Sequence, residues 1–218
     1  MKRRTLPAAA ALAATAALLL TACGSGDDKS SNNDKIAGAD AGSSPTSASP
    51  SVSASNAADR PKITFPSFAK NVFEDQKTGD ATKDAVLADS ALSINSVDEA
   101  IFNGSTDTKA LGFYSTGKAL SSSITYVQGY IDDADTWIGE TRYFDRKVTL
   151  AGADKAYVTY CSDESKSFIK NKKTQKVDKT PTTAKAYVLY HASLTRNGEG
   201  VWQTSNIVSN RGDKACQP

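Results

Sequence analysis

The chain contains one histidine, His191, the side chain best suited to proton transfer near neutral pH. It lies in an apolar run over 185–192, where strand alternation places it on the same side as Tyr187 and Leu189. On a pocket wall His191 could act as a general acid or base, with Tyr187 and Leu189 lining the pocket beside it. At an exposed or half-buried strand position it would have no chemical role. His191 is the one catalytic candidate, and both alternatives stay open.

Lysines crowd one predicted loop between two strands. Four of them are candidates for contact with anionic lipid headgroups or wall polymers: Lys170, Lys172, Lys173 and Lys176. The alternative is a solvated hairpin tip that is kept soluble by its charge.

Carboxylates cluster at Asp132, Asp133 and Asp135, which could hold Ca²⁺ superficially through oxygen ligands. The cluster lacks the spacing of an EF-hand, so a solvated loop after a helix is the alternative. The chain has no CxxC motif, no histidine-rich spacing and no G-x-S-x-G elbow. We therefore predict neither a metal site nor a cofactor.

The first 22 residues have the pattern of a secretory signal peptide. Lys2, Arg3 and Arg4 form a basic start, and an apolar run follows over 6–20. That run is shorter than the roughly 20 residues that a membrane-spanning helix needs. We predict that residues 1–22 are removed on export, and export argues against nucleic acid as a partner.

The residues that end this segment, Leu20-Thr21-Ala22-Cys23, resemble the lipobox of bacterial lipoproteins. The resemblance implies that Cys23 carries a diacylglycerol thioether and becomes the mature N-terminus. Acyl chains, typically palmitate, then hold the protein on the outer face of the cytoplasmic membrane with its domain facing the cell wall. The alternative is an ordinary cleaved signal with an incidental cysteine.

Composition divides the rest of the chain at about residue 61. Residues 23–61 contain no aromatic residue and are rich in Ser, Ala, Asp and Pro, which predicts a disordered linker after the lipidated cysteine. All aromatic residues lie between Phe65 and Trp202, so residues 62–218 are predicted to form a single domain. The formal net charge of the whole chain is only +2, so we expect no strong electrostatic field around the domain.

With Cys23 assigned to lipid, Cys161 and Cys216 remain. In an exported protein two such cysteines most simply form a disulfide. A pair of metal-ligating thiolates is the alternative, and no ligand spacing supports it.

The domain is predicted to be α+β, with helices first and strands afterwards. Helical periodicity indicates one helix from an Asp80 cap to about 102, a short one over 108–114 and a third over 118–131. A period of two then indicates strands, and these are predicted over 142–150, 155–162, 184–195 and 201–208.

Three short motifs carry a resemblance to a known family. They are Ala156-Tyr157-Val158-Thr159-Tyr160-Cys161-Ser162-Asp163, Gly200-Val201-Trp202 and Lys214-Ala215-Cys216. With these motifs the domain resembles secreted actinobacterial lipoproteins of the NTF2-like (SnoaL-like) fold, a largely uncharacterised group. The chain departs from their pattern at Glu199, Gln203 and Ser205.

This resemblance implies a cone in which two or three helices pack on a curved four-stranded antiparallel sheet. The concave face of such a sheet holds the pocket, which Tyr187, Leu189 and His191 would line. We expect a non-catalytic binding or interaction module whose partner is a small apolar ligand or an envelope protein. The alternatives are an isomerase or cyclase that uses His191 or an Asp of perturbed pKa, and a structural part of an envelope assembly.

Overall fold

A computed structural model describes residues 60–218 of the protein. The predicted signal peptide over 1–22 and the lipidation site Cys23 lie outside the described residues. So does the predicted linker over 23–61, apart from its last two residues. These remain predictions from the sequence.

Three helices were predicted, and the structure has all three within about two residues of the predicted bounds. They are α1 (Ala81–Asn103), α2 (Lys109–Tyr114) and α3 (Gly117–Asp132). The Asp80 carboxylate caps α1 by accepting hydrogen bonds from the backbone N–H groups of Thr82 and Lys83, at 2.8 and 3.0 Å. Gly104 ends α1 in the left-handed conformation, which glycine adopts without a Cβ clash. Within residues 60–218 no helix is long and apolar enough to cross a bilayer.

The sheet has six strands. They are β1 (Ala69–Phe73), β2 (Asp135–Leu150), β3 (Lys155–Asn171), β4 (Val177–Asp178), β5 (Tyr187–Arg196) and β6 (Trp202–Arg211). Their order is β1-β2-β3-β5-β6, with β4 paired to β3, and β1 runs parallel to β2 while all other pairs are antiparallel. Two 3₁₀ turns, Ala184–Ala186 and Lys214–Cys216, flank the last two strands.

The predicted α+β class is confirmed, whereas the purely antiparallel, four-stranded sheet is wrong. The structure adds β1 and β4 to the four predicted strands. β1 precedes all three helices and has only five residues without strict alternation of burial, and β4 has two residues. Neither segment is long enough to show a period-two pattern in the sequence.

Two β-bulges curve the sheet. β2 and β3 contain 16 and 17 residues, about three times the usual strand length. The register of this pair shifts between Glu140 and Arg142 and again between Phe144 and Lys147, where Asp145 has a φ of 53°. Each extra residue bends its strand, so the long strands wrap around the helices and leave a concave face towards them.

Helix α1 is buried on more than its apolar stripe. Leu87 and Ile101 pack in the core as predicted, but several buried positions of α1 are polar. The chain before β1 covers two of them: Arg60 forms a two-pronged ion pair with Asp89, and the backbone N–H of Thr64 donates to Glu99 Oε1 at 3.0 Å. The segment that enters the domain is therefore fastened to the length of α1.

Cys161 and Cys216 form a disulfide, as predicted, with 5.5 Å between their Cα atoms. Both residues are buried, and the bond links the central strand β3 to the 3₁₀ turn that follows β6. A loop of this length, 55 residues in sequence separation, contributes about 4 kcal/mol on the chain-entropy estimate. The bridge thus holds the C-terminal turn against the sheet.

Candidate functional site

The core consists of two large apolar clusters and a third, smaller one, and the candidate site lies between the two large ones. One large cluster joins Leu87 of α1 to Val158 and Trp202 of the sheet. The other joins Ile101 of α1 to Val127 of α3 and Trp137 of β2, and α3 contributes no residue to the first cluster. Polar side chains occupy the space where the two large clusters approach each other.

Asp98 is the polar residue that α1 places in this space. Its Oδ1 accepts a hydrogen bond from Trp137 Nε1 at 3.0 Å, and its Oδ2 accepts one from Asn71 Nδ2 at 2.7 Å. Burial raises the pKa of Asp98 to about 7, an effect that the nearby Glu164 carboxylate increases and that the two hydrogen bonds oppose. At neutral pH the carboxyl group is therefore divided between its charged and neutral forms.

The amide of Asn71 is suited to both of these forms. Its Nδ2 donates to Asp98 and to Asn95 Oδ1, while its Oδ1 is buried and has no hydrogen-bond partner within residues 60–218. A protonated Asp98 carries an O–H donor, and rotation of the Asn71 amide would offer it this acceptor. The pairing therefore accommodates a proton on Asp98.

Glu164 and Arg211 form the opposite wall. Arg211 Nη1 donates to Glu164 Oε2 at 2.7 Å, and Nη2 donates to Oε1 at 3.3 Å. Ser162 Oγ donates to the same Oε1 at 3.2 Å. Glu164 continues the inward alternation of Tyr160 and Ser162 at the point where the register with β2 shifts. The bidentate pairing leaves little free positive charge on Arg211.

Aromatic rings cover the concave face between these polar groups. Phe73 stacks on Tyr143 with 4.8 Å between ring centroids, and Tyr160 stacks on Tyr190 at 4.9 Å. Tyr143 and Tyr160 meet edge to face at 6.0 Å. Burial raises the pKa of Tyr143 and Tyr160 well above the usual value, so both phenols stay neutral. The row forms the aromatic part of the core under the sheet.

A groove of about 430 Å³ lies between α3 and β3. Tyr126 and Tyr130 of α3 and Ile169 of β3 form its apolar walls, and Asp133 and Asp135 lie at its acidic end. The two tyrosine rings meet edge to face at 5.2 Å, and their hydroxyls are 3.2 Å apart. Both phenols are within electrostatic reach of Asp98 and Glu164. The groove is therefore next to the polar interior.

This arrangement can hold a small molecule by its apolar surface and orient it by hydrogen bonds. It also contains one group, Asp98, with a pKa suited to giving or taking a proton near pH 7. Groups of at least three potential metal ligands do not occur within residues 60–218.

The placement of His191 on the concave face is wrong. Along β5, Val188, Ala192 and Leu194 are buried towards the helices, so His191 and its neighbours Tyr187 and Leu189 lie on the outer face. His191 is exposed there, with its Nδ1 3.4 Å from Thr159 Oγ1. The predicted alternation along the strand holds, but the side assigned to the pocket is reversed. A pocket lined by these three residues is thus not part of the interior.

The four candidate lysines do not all lie in a loop. Lys170 belongs to β3, which extends to Asn171, whereas Lys172, Lys173 and Lys176 lie in the turn before β4. The strand was predicted to stop at 162, whereas it continues to Asn171 in the structure. Contact of these lysines with an anionic surface stays a prediction.

The sequence reasoning missed Asp98, Glu164, Arg211 and the tyrosines of α3. The signal for Asp98 was a single acid beside the apolar stripe of α1, a pattern shared by many exposed residues. Outside this site, Arg142 Nη2 lies 3.5 Å from Asp163 Oδ2.

No protein-family model matches the chain, and no curated protein matches it. Among solved structures, a ketosteroid isomerase-like protein from Erwinia carotovora atroseptica is similar at 15% identity and a TM-score of 0.38, covering 58% of this chain and 93% of its own. A putative ketosteroid isomerase from Shewanella frigidimarina has 10% identity and a TM-score of 0.32, covering 60% of this chain and 98% of its own.

A third structure, a domain of unknown function with a cystatin-like fold from Nostoc punctiforme, has 15% identity and a TM-score of 0.36. It covers 62% of this chain and 79% of its own. At TM-scores below 0.5 these likenesses carry no argument about function. The class of the domain therefore rests on its own architecture, an α+β fold with three helices on the concave face of a curved sheet.

Proposed function

We propose that this protein is a membrane-anchored extracytoplasmic lipoprotein whose domain binds a small molecule in the groove between α3 and β3. The observation that carries the binding proposal is the open groove with two tyrosine walls, whose phenols are within electrostatic reach of Asp98. A space that is mainly apolar and holds a few convergent polar groups is the usual form of a ligand site. An apolar or partly apolar ligand fits the rings, and the carboxyl groups fix its orientation.

The anchor is supported by the basic start, the short apolar run and the lipobox-like residues that end at Cys23. A Cys23→Ala variant is expected to lose the lipid, because the thiol that forms the thioether is absent. Metabolic labelling with radioactive palmitate should mark the wild-type protein and leave the variant unlabelled. Equal labelling of both proteins would contradict the anchor.

Ligand binding is tested by the exported protein and two tyrosine variants. Native mass spectrometry of the wild-type protein is expected to show a co-purifying small molecule, and Tyr130→Ala should lower its occupancy at least tenfold because a groove wall is lost. Tyr157→Ala is the matched control, since Tyr157 is an exposed tyrosine in β3 outside the groove. Equal loss in both variants, or no small molecule from any preparation, would contradict the proposal.

A second candidate is an enzyme that uses Asp98 as its general acid or base. The observation that favours it is the pKa of about 7 on a carboxyl group that Trp137 and Asn71 hold in place. With His191 on the outer face, Asp98 is the residue that fits this role. The same preparations distinguish the two functions: an enzyme converts its ligand over time and an Asp98→Asn variant does not, whereas a binding module returns the ligand unchanged.

A further inference from the structure

Within residues 60–218, the side chains that line the groove between α3 and β3 carry negative charge and no positive charge. Its two ionisable carboxylates, Asp133 and Asp135, have no basic counterpart among the described residues that line it. Lys172 lies near this end of the groove, since its backbone N–H donates to the carbonyl oxygen of Ala134. Its ammonium group, however, lies 3.5 Å from the carbonyl oxygen of Ile101 at the end of α1. The mouth of the groove is therefore acidic.

The interior beside the groove adds further negative charge. Asp98 is partly ionised at neutral pH, whereas Glu164 is paired with Arg211. Because both guanidinium arms of Arg211 are engaged with Glu164, this arginine presents no free cation to a ligand. The net charge beside the groove is therefore the partial negative charge of Asp98.

The walls of the groove suit a cation as well as an apolar group. Burial raises the pKa of Tyr130, and Tyr126 and Tyr130 are both neutral phenols that keep the negative face of an aromatic ring. The planes of the two rings lie at 70° to each other, so the rings form a corner in the wall of the groove. Tyr126 is 55% exposed, so a ligand can reach this corner from solvent. Ring faces of this kind attract ammonium groups, and more strongly where water is excluded.

From these features we infer that the groove selects an organic cation, a substituted ammonium compound with an apolar body, over a neutral or anionic ligand of the same shape. The inference rests on the proposed function of the groove as a ligand site and defines the class of that ligand. The ammonium group lies against the rings of Tyr126 and Tyr130, with Asp133 and Asp135 beside it. The chain as a whole has a net charge of +2, so selection is local to this groove.

The test compares three probes of similar size: phenyltrimethylammonium, its neutral isostere tert-butylbenzene, and benzenesulfonate. Ligand-observed NMR with the exported protein is expected to show at least about tenfold tighter binding of the ammonium probe than of the neutral one, and the weakest binding for the sulfonate. Asp133→Asn and Asp135→Asn should each weaken the ammonium probe about three- to tenfold and leave tert-butylbenzene unchanged.

Asp132→Asn is the matched control, because it removes the same charge from the same loop. Asp132 is exposed, accepts a hydrogen bond from Gln128 Nε2 at 2.7 Å and does not line the groove. An equal effect of all three substitutions would overturn the inference, since the selection would then not belong to the groove. Equal binding of the ammonium and neutral probes would also overturn it, while the proposed binding function would stand. Failure of every probe, together with no co-purifying ligand, would overturn both.

Discussion

Replacing Asp89 by alanine is expected to lower the free energy of unfolding by about 3–5 kcal/mol, as for other buried ion pairs that lose one partner. Asp89 is 2% exposed and satisfies two groups at once. It is paired with the guanidinium of Arg60, and its Oδ2 accepts the backbone N–H of buried Trp202 at 2.9 Å. The alanine variant leaves that N–H without an acceptor and Arg60 without its charge partner. Urea unfolding followed by Trp fluorescence measures the loss.

Two further variants separate these contributions. Arg60→Ala is expected to cost less than Asp89→Ala, because the arginine side chain is 34% exposed and the Trp202 N–H keeps its acceptor. Asp89→Asn keeps an oxygen that can accept from Trp202 but removes the charge. Its loss of unfolding free energy should therefore lie between those of the other two variants. A decrease in the free energy of unfolding of less than about 1 kcal/mol for Asp89→Ala would show that the ion pair contributes little to stability.

Stability is expected to fall as the pH rises from about 4 to 7, through Asp98. Its pKa is raised from the ordinary 3.8 to about 7 in the folded protein, so the folded state binds this proton more tightly than the unfolded state does. The stability that this contributes is complete below pH 3.8 and is lost as the pH passes through the folded pKa. The slope reaches at most about 1.4 kcal/mol per pH unit, and the whole change at most about 4 kcal/mol.

The comparison with Asp98→Asn isolates this effect, because the amide does not titrate. The difference in unfolding free energy between the variant and the wild type should shift steadily in favour of the variant as the pH rises from 4 to 7. In the wild type, ¹³C NMR should show the Asp98 carboxyl titrating near pH 7. The groups that face Asp98 also carry charge or protons: Glu164 from β3, Tyr143 from β2, and Tyr126 and Tyr130 from α3. A parallel pair of stability curves, or an NMR midpoint below pH 5, would contradict the assignment.

The helices and the disulfide were predictable because their signals are local or compositional. Asp80 and Gly104 mark the ends of α1 through their own side-chain and backbone properties. The pairing of Cys161 with Cys216 followed from the predicted export and from the absence of a third cysteine in the domain.

The candidate site was not predictable because it depends on contacts between distant elements. Asp98 becomes unusual only when α1 lies against Trp137, 39 residues later in the chain. Glu164 shares the inward alternation of Tyr160 and Ser162, but it lies beyond residue 162, where the strand was predicted to end. His191 shows the same limit, since a period of two indicates two faces without showing which face the helices cover.

The attachment of the entering chain to α1 has a mechanical consequence. Asp89 and Glu99 are ten residues apart on one helix, about 15 Å, and four extended residues from Arg60 to Thr64 span a similar length. The segment therefore runs alongside α1, in the same direction. A force applied along this segment would therefore load both attachments together. Contacts with the longest helix, α1, would resist such a force in shear. The groove between α3 and β3 is formed by other residues.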